Sequence, residues 1–203
     1  MGRPPKHHAD QLLDAAVALL ARGGAAALTM SSVAHAVGAP SGSVYHRFPD
    51  RSALLAALWL RTLGRFHQGL LAALTTEPPH LAVALAARHT VEWSRINPDE
   101  AAVLLVGSAE LGEAAWAADS RRRAEQENAE VHAAIDELVR RLDTDADQVA
   151  LAMVDLPYAV VRRYLKAGQP IPAHAPDLAY RAAIALLRMD RTTSDGATAL
   201  STG

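Results

Sequence analysis

The stretch that most restricts the fold runs from Thr29 to Arg51, TMSSVAHAVGAPSGSVYHRFPDR, because its glycine and proline positions divide it into two short helices. Thr29 precedes an apolar pattern of helical spacing, and its hydroxyl can cap a helix by accepting from backbone N–H groups two or three residues on. Gly38 fits the left-handed position that commonly ends a helix, and Pro40 fits the start of the next one. This stretch therefore predicts two helices joined by a tight turn.

The second of these helices, from about Pro40 to Phe48, has two chemically different sides. At about 100° per residue, Val44 and Phe48 lie about 40° apart, and they are predicted to face the interior. The opposite side and its flanks carry only small and polar residues, namely Ser41, Gly42, Ser43, Tyr45, His46 and Arg47. A polar face of this kind suits contact with phosphates and base edges, and Gly42 allows another backbone to come close.

The run from Leu28 to Leu55 resembles the DNA-binding helix-turn-helix of the tetracycline-repressor (TetR) family. The similarity extends back to the first helix, LLDAAVALLARGG, and covers about the first quarter of the chain. The matching features are Gly38, Ser43-Val44-Tyr45, Phe48-Pro49 and a basic residue before Leu54-Leu55. The family has a lysine at the place of Arg51, so the resemblance implies that Arg51 contacts a phosphate.

An N-terminal arm, Met1 to His8, is too rich in proline to start a helix and is predicted to be flexible. Gly2-Arg3-Pro4 resembles arms that insert an arginine into an A·T-rich minor groove, and a solvated tail is an equally good interpretation.

Residues 1–66 carry seven basic and three acidic side chains, a net charge of +4, and the remaining residues carry −6. This division favours a protein that presents one end to a polyanion. The predicted DNA-contact residues are Thr29, Ser31, Ser41, Gly42, Ser43, Tyr45, His46, Arg47 and Arg51, with Arg3 and Lys6 of the arm.

Composition bounds the rest of the chain. Half of the residues are hydrophobic and only 4% are aromatic, with alanine and leucine dominant, which indicates an all-α protein. There is no cysteine, so disulfides, thiolate catalysis and sulfur-ligated metals are excluded, and we expect neither a cofactor nor a metal. No apolar run is long enough for a membrane helix, and we expect a cytoplasmic protein.

Periodicity predicts about nine helices. The resemblance implies that they form an N-terminal three-helix DNA-binding domain followed by an α-helical ligand-binding and dimerisation domain. The predicted boundaries are a flexible basic arm at 1–8, the helix-turn-helix domain at 9–50, a linking helix at 51–74, the ligand-binding and dimerisation domain at 75–190 and a disordered tail at 191–203. The predicted helices outside the helix-turn-helix are 10–22, 51–74, 81–95, 98–106, 113–142, 145–166 with a kink at Pro157, and 176–189.

The helix at 176–189 is apolar around more of its circumference than one core contact requires, which predicts a subunit interface. A homodimer formed through the C-terminal helices would place two recognition helices about 34 Å, or a multiple of that, apart on a palindromic double-stranded DNA operator. The resemblance also implies a repressor that an unknown small molecule releases from its operator. Candidate ligand residues, for each of which a core or surface role is the alternative, are His89, Glu92, Trp93, Trp116, His132, Met153 and Tyr158.

Two other classes of protein are alternatives to a DNA-binding regulator. An enzyme is disfavoured, and no catalytic residue is predicted, because the chain has no nucleophile elbow, phosphate loop or HExxH motif. The stronger alternative is a helical dimeric adaptor of the same fold that does not bind DNA, and the polar face of the second short helix argues against it. Arg121-Arg122-Arg123 is interpreted as a solvated face rather than a second DNA-binding patch, because Glu125 and Glu127 follow at helical spacing.

Overall fold

The structure, a computed structural model, describes the backbone of residues 6–198 and the side chains of residues 9–188. Within these residues the chain is helical and has no strand, which confirms the predicted all-α class. The helices are α1 (Lys6–Gly23), α2 (Met30–Ala36), α3 (Ser41–Arg47), α4 (Arg51–Leu74), α5 (Pro79–Ile96), α6 (Pro98–Val106), α7 (Ala118–Leu142), α8 (Ala146–Ala150), α9 (Leu156–Lys166) and α10 (Ala175–Thr198).

A π-helical turn, Leu151–Asp155, joins α8 and α9 into one continuous helix. The N–H of Leu156 donates to the carbonyl of Leu151, five residues back, instead of four. Pro157 follows directly and has no N–H to donate, so the regular ladder is interrupted here and the predicted irregularity takes the form of a π turn. With α8 and α9 counted as one, the described part of the chain has the nine predicted helices.

Several helix ends differ from the prediction. α1 begins at Lys6 instead of Asp10, so only residues 1–5 of the predicted arm lie outside the described backbone, and the side chains of Arg3 and Lys6 lie outside the described residues. α7 begins at Ala118, because Glu113–Ala115 forms a separate 3-10 turn. α10 continues to Thr198, beyond the predicted end at Met189. No proline interrupts this stretch, and an established helix extends one residue at a time.

Contacts divide the chain into two compact units, and the first consists of residues 1–65 and 97–127. Its core contains the apolar faces of α1, α2, α3 and the start of α4, together with Trp116, which is 2% exposed. Arg61 of α4 pairs with Asp14 of α1 at 2.8 Å, and α1 also contacts α6. The predicted functional domains, 9–50 and 75–190, follow a different division of the chain and remain predictions.

The second unit consists of residues 66–96 and 128–203, and α5 is its central helix. α5 contacts α10, α9 and the π turn, and it buries mainly alanine and valine. Ala179 and Ala183 of α10 are buried as well, and such small side chains let helices pack closely. These two alanines of the predicted interface helix are thus buried within their own subunit. None of the described helices is both long and apolar enough to cross a bilayer.

Candidate DNA-binding surface

α2 is fixed at its start by a capping box between Thr29 and Ser32. The N–H of Ser32 donates to Oγ1 of Thr29 at 3.0 Å, and the N–H of Thr29 donates to Oγ of Ser32 at 2.9 Å. Two otherwise orphaned N–H groups are satisfied in this way, which confirms the predicted cap. Met30, Val33 and Ala34 are buried, so the outward side of α2 is left to residues such as Ser31, which is exposed.

The turn between α2 and α3 depends on Gly38, whose φ is +66°. A residue with a Cβ is strained in this left-handed conformation, even though the space around Gly38 is open. The N–H of Ala39 donates to the carbonyl of Ala34 at 3.0 Å and closes the turn. Pro40 then occupies the N-cap position with an extended backbone, and α3 begins at Ser41, so the predicted helix-turn-helix is present.

α3 has the two sides that the sequence predicts. Val44 is fully buried and Phe48 is 7% exposed, while Tyr45 is 52% exposed. The N–H of Phe48 donates to the carbonyl of Val44 at 2.8 Å, which ties the end of the helix to its buried anchor. Among the predicted contact residues whose side chains the structure describes, all are exposed except the half-buried Arg47; the exposed ones on α3 are Ser41, Gly42, Ser43, Tyr45 and His46.

An open groove of about 650 Å³ lies beside α3, and it adds a residue that the sequence analysis did not identify. Gln11, on α1, is exposed and lines this groove together with Gly42, Ser43 and His46. Nothing in the local sequence marks Gln11, because it reaches the groove only through the packing of α1 against the helix-turn-helix.

Arg51 has a structural role that the sequence analysis did not predict. Its Nε donates to the carbonyl of Leu28 at 2.7 Å, and its Nη2 donates to the carbonyl of Ala25 at 2.6 Å. Both carbonyls belong to the segment that leads into α2. A lysine, with one ammonium group, cannot reproduce this two-armed contact. A phosphate contact by the remaining N–H groups of Arg51 stays a prediction.

The three consecutive arginines of α7 are occupied by partners in the chain. Arg121 donates from Nη1 to the carbonyl of Trp116 at 2.6 Å, Arg122 pairs with Asp119, and Arg123 pairs with Glu127. These contacts support the interpretation as a solvated face rather than a second DNA-binding patch.

The seven predicted ligand residues do not form one cluster. Trp116 lies in the first unit, where its indole is buried and donates to the carbonyl of Leu111 at 3.2 Å, which indicates a core role. The other six lie in the second unit: Met153 is buried, His132 and Tyr158 are exposed, and Glu92 pairs with Arg95 at 2.9 Å. Neither the groove beside α3 nor a second concavity of about 470 Å³ in the first unit is lined by any of the seven.

His89 and Trp93 are brought together by Phe66, which the sequence analysis did not single out. The Phe66 ring lies 5.4 Å from the ring of His89 and 5.3 Å from that of Trp93, measured between centroids. The ring of His89 also bonds through Nε2 to the carbonyl of Phe66 at 3.0 Å and packs directly over Gly69. We refer to Phe66, His89 and Trp93 as the aromatic cluster.

Two histidines of the second unit have a lowered pKa. Burial lowers the pKa of His67, and the neighbouring His132 lowers it further. Burial also lowers the pKa of His89, against the opposing effect of its hydrogen bond to Phe66. Both side chains therefore favour the neutral form more than an exposed histidine does.

A capped helix, a glycine turn and a second helix with one buried and one polar exposed side define a helix-turn-helix DNA-binding domain. Residues 12–58 match the family model described as bacterial regulatory proteins, tetR family, and the N-terminal domain of the chain belongs to that family. This is the family that the sequence resembles. The proteins of this family are transcription regulators rather than enzymes. Among curated proteins, no sequence relative of the chain is found.

Solved structures of TetR-family regulators share the fold over most of their length. A TetR-family transcription regulator from Marinobacter aquaeolei VT8 is 16% identical, with a TM-score of 0.70 over 89% of this chain and 95% of that one. The fatty acid degradation regulator FadR from Bacillus halodurans is 18% identical, with a TM-score of 0.67 over 92% and 97%. The ketosteroid transcriptional regulator KstR2 of Mycobacterium tuberculosis is 20% identical, with a TM-score of 0.63 over 89% and 93%. At these identities the similarity establishes the fold.

Proposed function

We propose that this protein is a ligand-responsive transcriptional repressor that binds a palindromic DNA operator as a homodimer. The observation that carries the proposal is the orientation of α3, in which buried Val44 and Phe48 leave Gly42, Ser43, Tyr45 and His46 exposed. A helix anchored in this way can enter a major groove with its polar side against the base edges. The net charge of +4 in residues 1–66, against −6 in the rest, supports the same end of the chain as the DNA-binding end.

A homodimer follows from the requirement for specificity. One helix-turn-helix reads only a few base pairs, and two of them on a palindrome raise the specificity ratio above the excess of competing genomic sites. The C-terminal helices α9 and α10 are proposed as the interface, since both present exposed large apolar side chains, including Tyr158 and Leu178.

The test is selection of DNA fragments from a random pool with the purified full-length protein. The proposed function predicts enrichment of a palindrome whose half-sites lie about one helical turn, or a multiple of it, apart. A pool without any enriched sequence would support the alternative of an adaptor that keeps the fold and does not bind DNA. Tyr45→Phe is the variant to compare with the wild type in this selection, because it removes only one exposed hydroxyl from α3.

We also propose that a small molecule bound in the second unit releases the operator. The aromatic cluster supports this, because it combines apolar ring surface with a histidine, as ligand sites do. Two structural neighbours are named for fatty acid degradation and for ketosteroids, so acyl and steroid compounds are the first choice for a screen. A releasing compound should lose potency against Trp93→Phe and His89→Ala, while an effect unchanged in both variants would place the ligand elsewhere.

A further inference from the structure

The outward face of the π turn and α9 is both apolar and charged. Three of its large apolar side chains are unusually exposed: Leu151 at 41%, Val154 at 47% and Tyr158 at 47%. A cluster of this kind is costly to leave in water and commonly marks a protein interface. Asp155, Ala159 and Arg162 are exposed on the same stretch of helix. We refer to these six residues as the α9 face.

Asp155 and Arg162 of the α9 face have no partner within the part of the chain that the structure describes. Several other charges in the second unit are paired, for example Arg88 with Asp177 at 3.2 Å and Arg141 with Glu77. Asp155 and Arg162 are seven residues apart, so they lie on one side of the helix but are separated by about 10 Å along its axis. They are therefore too far apart to neutralise each other in one subunit.

This spacing becomes complementary when the face meets a copy of itself. Two antiparallel α9 helices related by a two-fold axis beside Tyr158 and Ala159 bring Asp155 of each copy opposite Arg162 of the other. The small side chain of Ala159 then lies at the crossing point, where a close approach of the helices is needed. Arg163, the neighbouring arginine, lies 4.6 Å from the centre of the Tyr164 ring and donates to its hydroxyl, so of the two arginines Arg162 is the one without a partner among the described residues.

We propose that α9 pairs with α9 of a second copy in this antiparallel register, with two symmetric ion pairs between Asp155 and Arg162. The inference rests on the proposed homodimer and adds to it a specific register of the two helices and the ion pairs that fix this register. α10 contributes less specificity, because its buried alanines, Ala179 and Ala183, are used within the subunit. Leu178, Arg181, Ala185 and Arg188 of α10 are exposed, and the one acidic residue among the described side chains of this helix, Asp177, is already paired with Arg88.

The experiment measures the dimer dissociation constant of the full chain by sedimentation, for the wild type and for Asp155→Arg and Arg162→Asp. Each variant replaces two attractive pairs by two repulsive ones, so we expect the constant to rise by about tenfold or more. An equimolar mixture of the two variants should recover a wild-type constant to within about threefold, because the heterodimer reforms both pairs. The combined Asp155→Arg, Arg162→Asp protein should recover likewise. High salt should reduce the differences.

Controls separate the outcomes. Asp136→Arg, an exposed charge reversal on α7, should leave the constant unchanged, and circular dichroism should report the same helix content in every variant. Single variants that dimerise as well as the wild type, or a mixture without recovery, would overturn the register while the homodimer stands. A wild-type chain that remains monomeric on its operator would instead overturn the homodimer itself.

Discussion

Arg51 donates from Nε to the carbonyl of Leu28 at 2.7 Å, which connects the first residue of α4 to the segment that leads into α2. The second contact of the guanidinium, from Nη2 to the carbonyl of Ala25, lies at 2.6 Å. These two contacts hold the entrance of the helix-turn-helix in place from α4. We therefore expect Arg51 to affect DNA binding through these structural contacts.

Arg51→Ala should lower the free energy of unfolding by about 1–2 kcal/mol, because two hydrogen bonds to a charged donor are lost. Arg51→Lys should lose most of the same stability, since a lysine keeps the charge without the two-armed geometry. Urea unfolding of the three proteins measures the effect. If Arg51 acted only on phosphate, Arg51→Lys would be as stable as the wild type. The slope of log affinity against log salt would then fall by about 0.9 in Arg51→Ala.

Tyr45 and Val44 are adjacent on α3, but substituting Tyr45 should affect DNA binding, whereas substituting Val44 should affect stability. Tyr45→Phe removes an exposed hydroxyl, so operator affinity should fall by about three- to tenfold while thermal stability stays unchanged. Val44→Ala empties a fully buried position and should cost about 2 kcal/mol of stability. Fluorescence anisotropy on the selected operator and thermal melting measure the two effects. A stable, DNA-binding Val44→Ala protein would mean that the two sides of α3 are assigned the wrong way round.

Gly69 and Gly64 form a matched pair of glycines in α4. A Cβ at Gly69 would lie 2.2 Å from Cε1 of His89, a ring already held by Phe66, whereas a Cβ at Gly64 would meet only Oε2 of Glu127 at 3.6 Å. Gly69→Ala should therefore destabilise the protein by about 1–3 kcal/mol through overpacking. Gly64→Ala should stabilise it by about 0.5–1 kcal/mol through helix propensity.

The double variant Gly69→Ala, His89→Ala tests the cause. It should be no less stable than His89→Ala alone, because the atoms that clash are gone. A further loss in the double variant, seen in urea unfolding, would show that the ring of His89 is not what requires glycine at position 69.

Stability should depend on the lowered pKa of His67 and of His89. Both values lie below the ordinary 6.5 in the folded chain, so the unfolded chain binds more protons as the pH falls. The free energy of unfolding should be fully retained above about pH 6.5 and should decline as the pH falls from there towards the lowered pKa values. Urea unfolding across this range measures the slope. His67→Gln should flatten it.

The sequence predicts the helix-turn-helix in detail because its signals are local. Thr29 and Gly38 act through the backbone of their own neighbours, and the burial of Val44 and Phe48 follows from a four-residue spacing on one helix. The same locality explains the correct number of helices. Helix ends such as Thr198 were predicted less well, because propagation of an existing helix depends weakly on residue type.

The candidate ligand residues were only partly predictable. The sequence singles out His89 and Trp93 by residue type, but it gives no signal for Phe66, which joins them, or for the burial of Trp116 in the other unit. Gln11 and the contacts of Arg51 were unpredictable for the same reason, since each depends on two segments that are distant in the chain.

The sequence by itself determined that this chain is all-helical and that its N-terminal part forms a helix-turn-helix with a polar outer side. Hydrophobic period, caps and turn residues act over a few positions and can be read without knowing what packs against them. Only the tertiary structure decided which side chains are already occupied: Arg51 by backbone carbonyls, and the alanines of α10 by burial within the subunit. The same packing leaves Asp155 and Arg162 exposed on α9, because burial and pairing depend on contacts between distant segments.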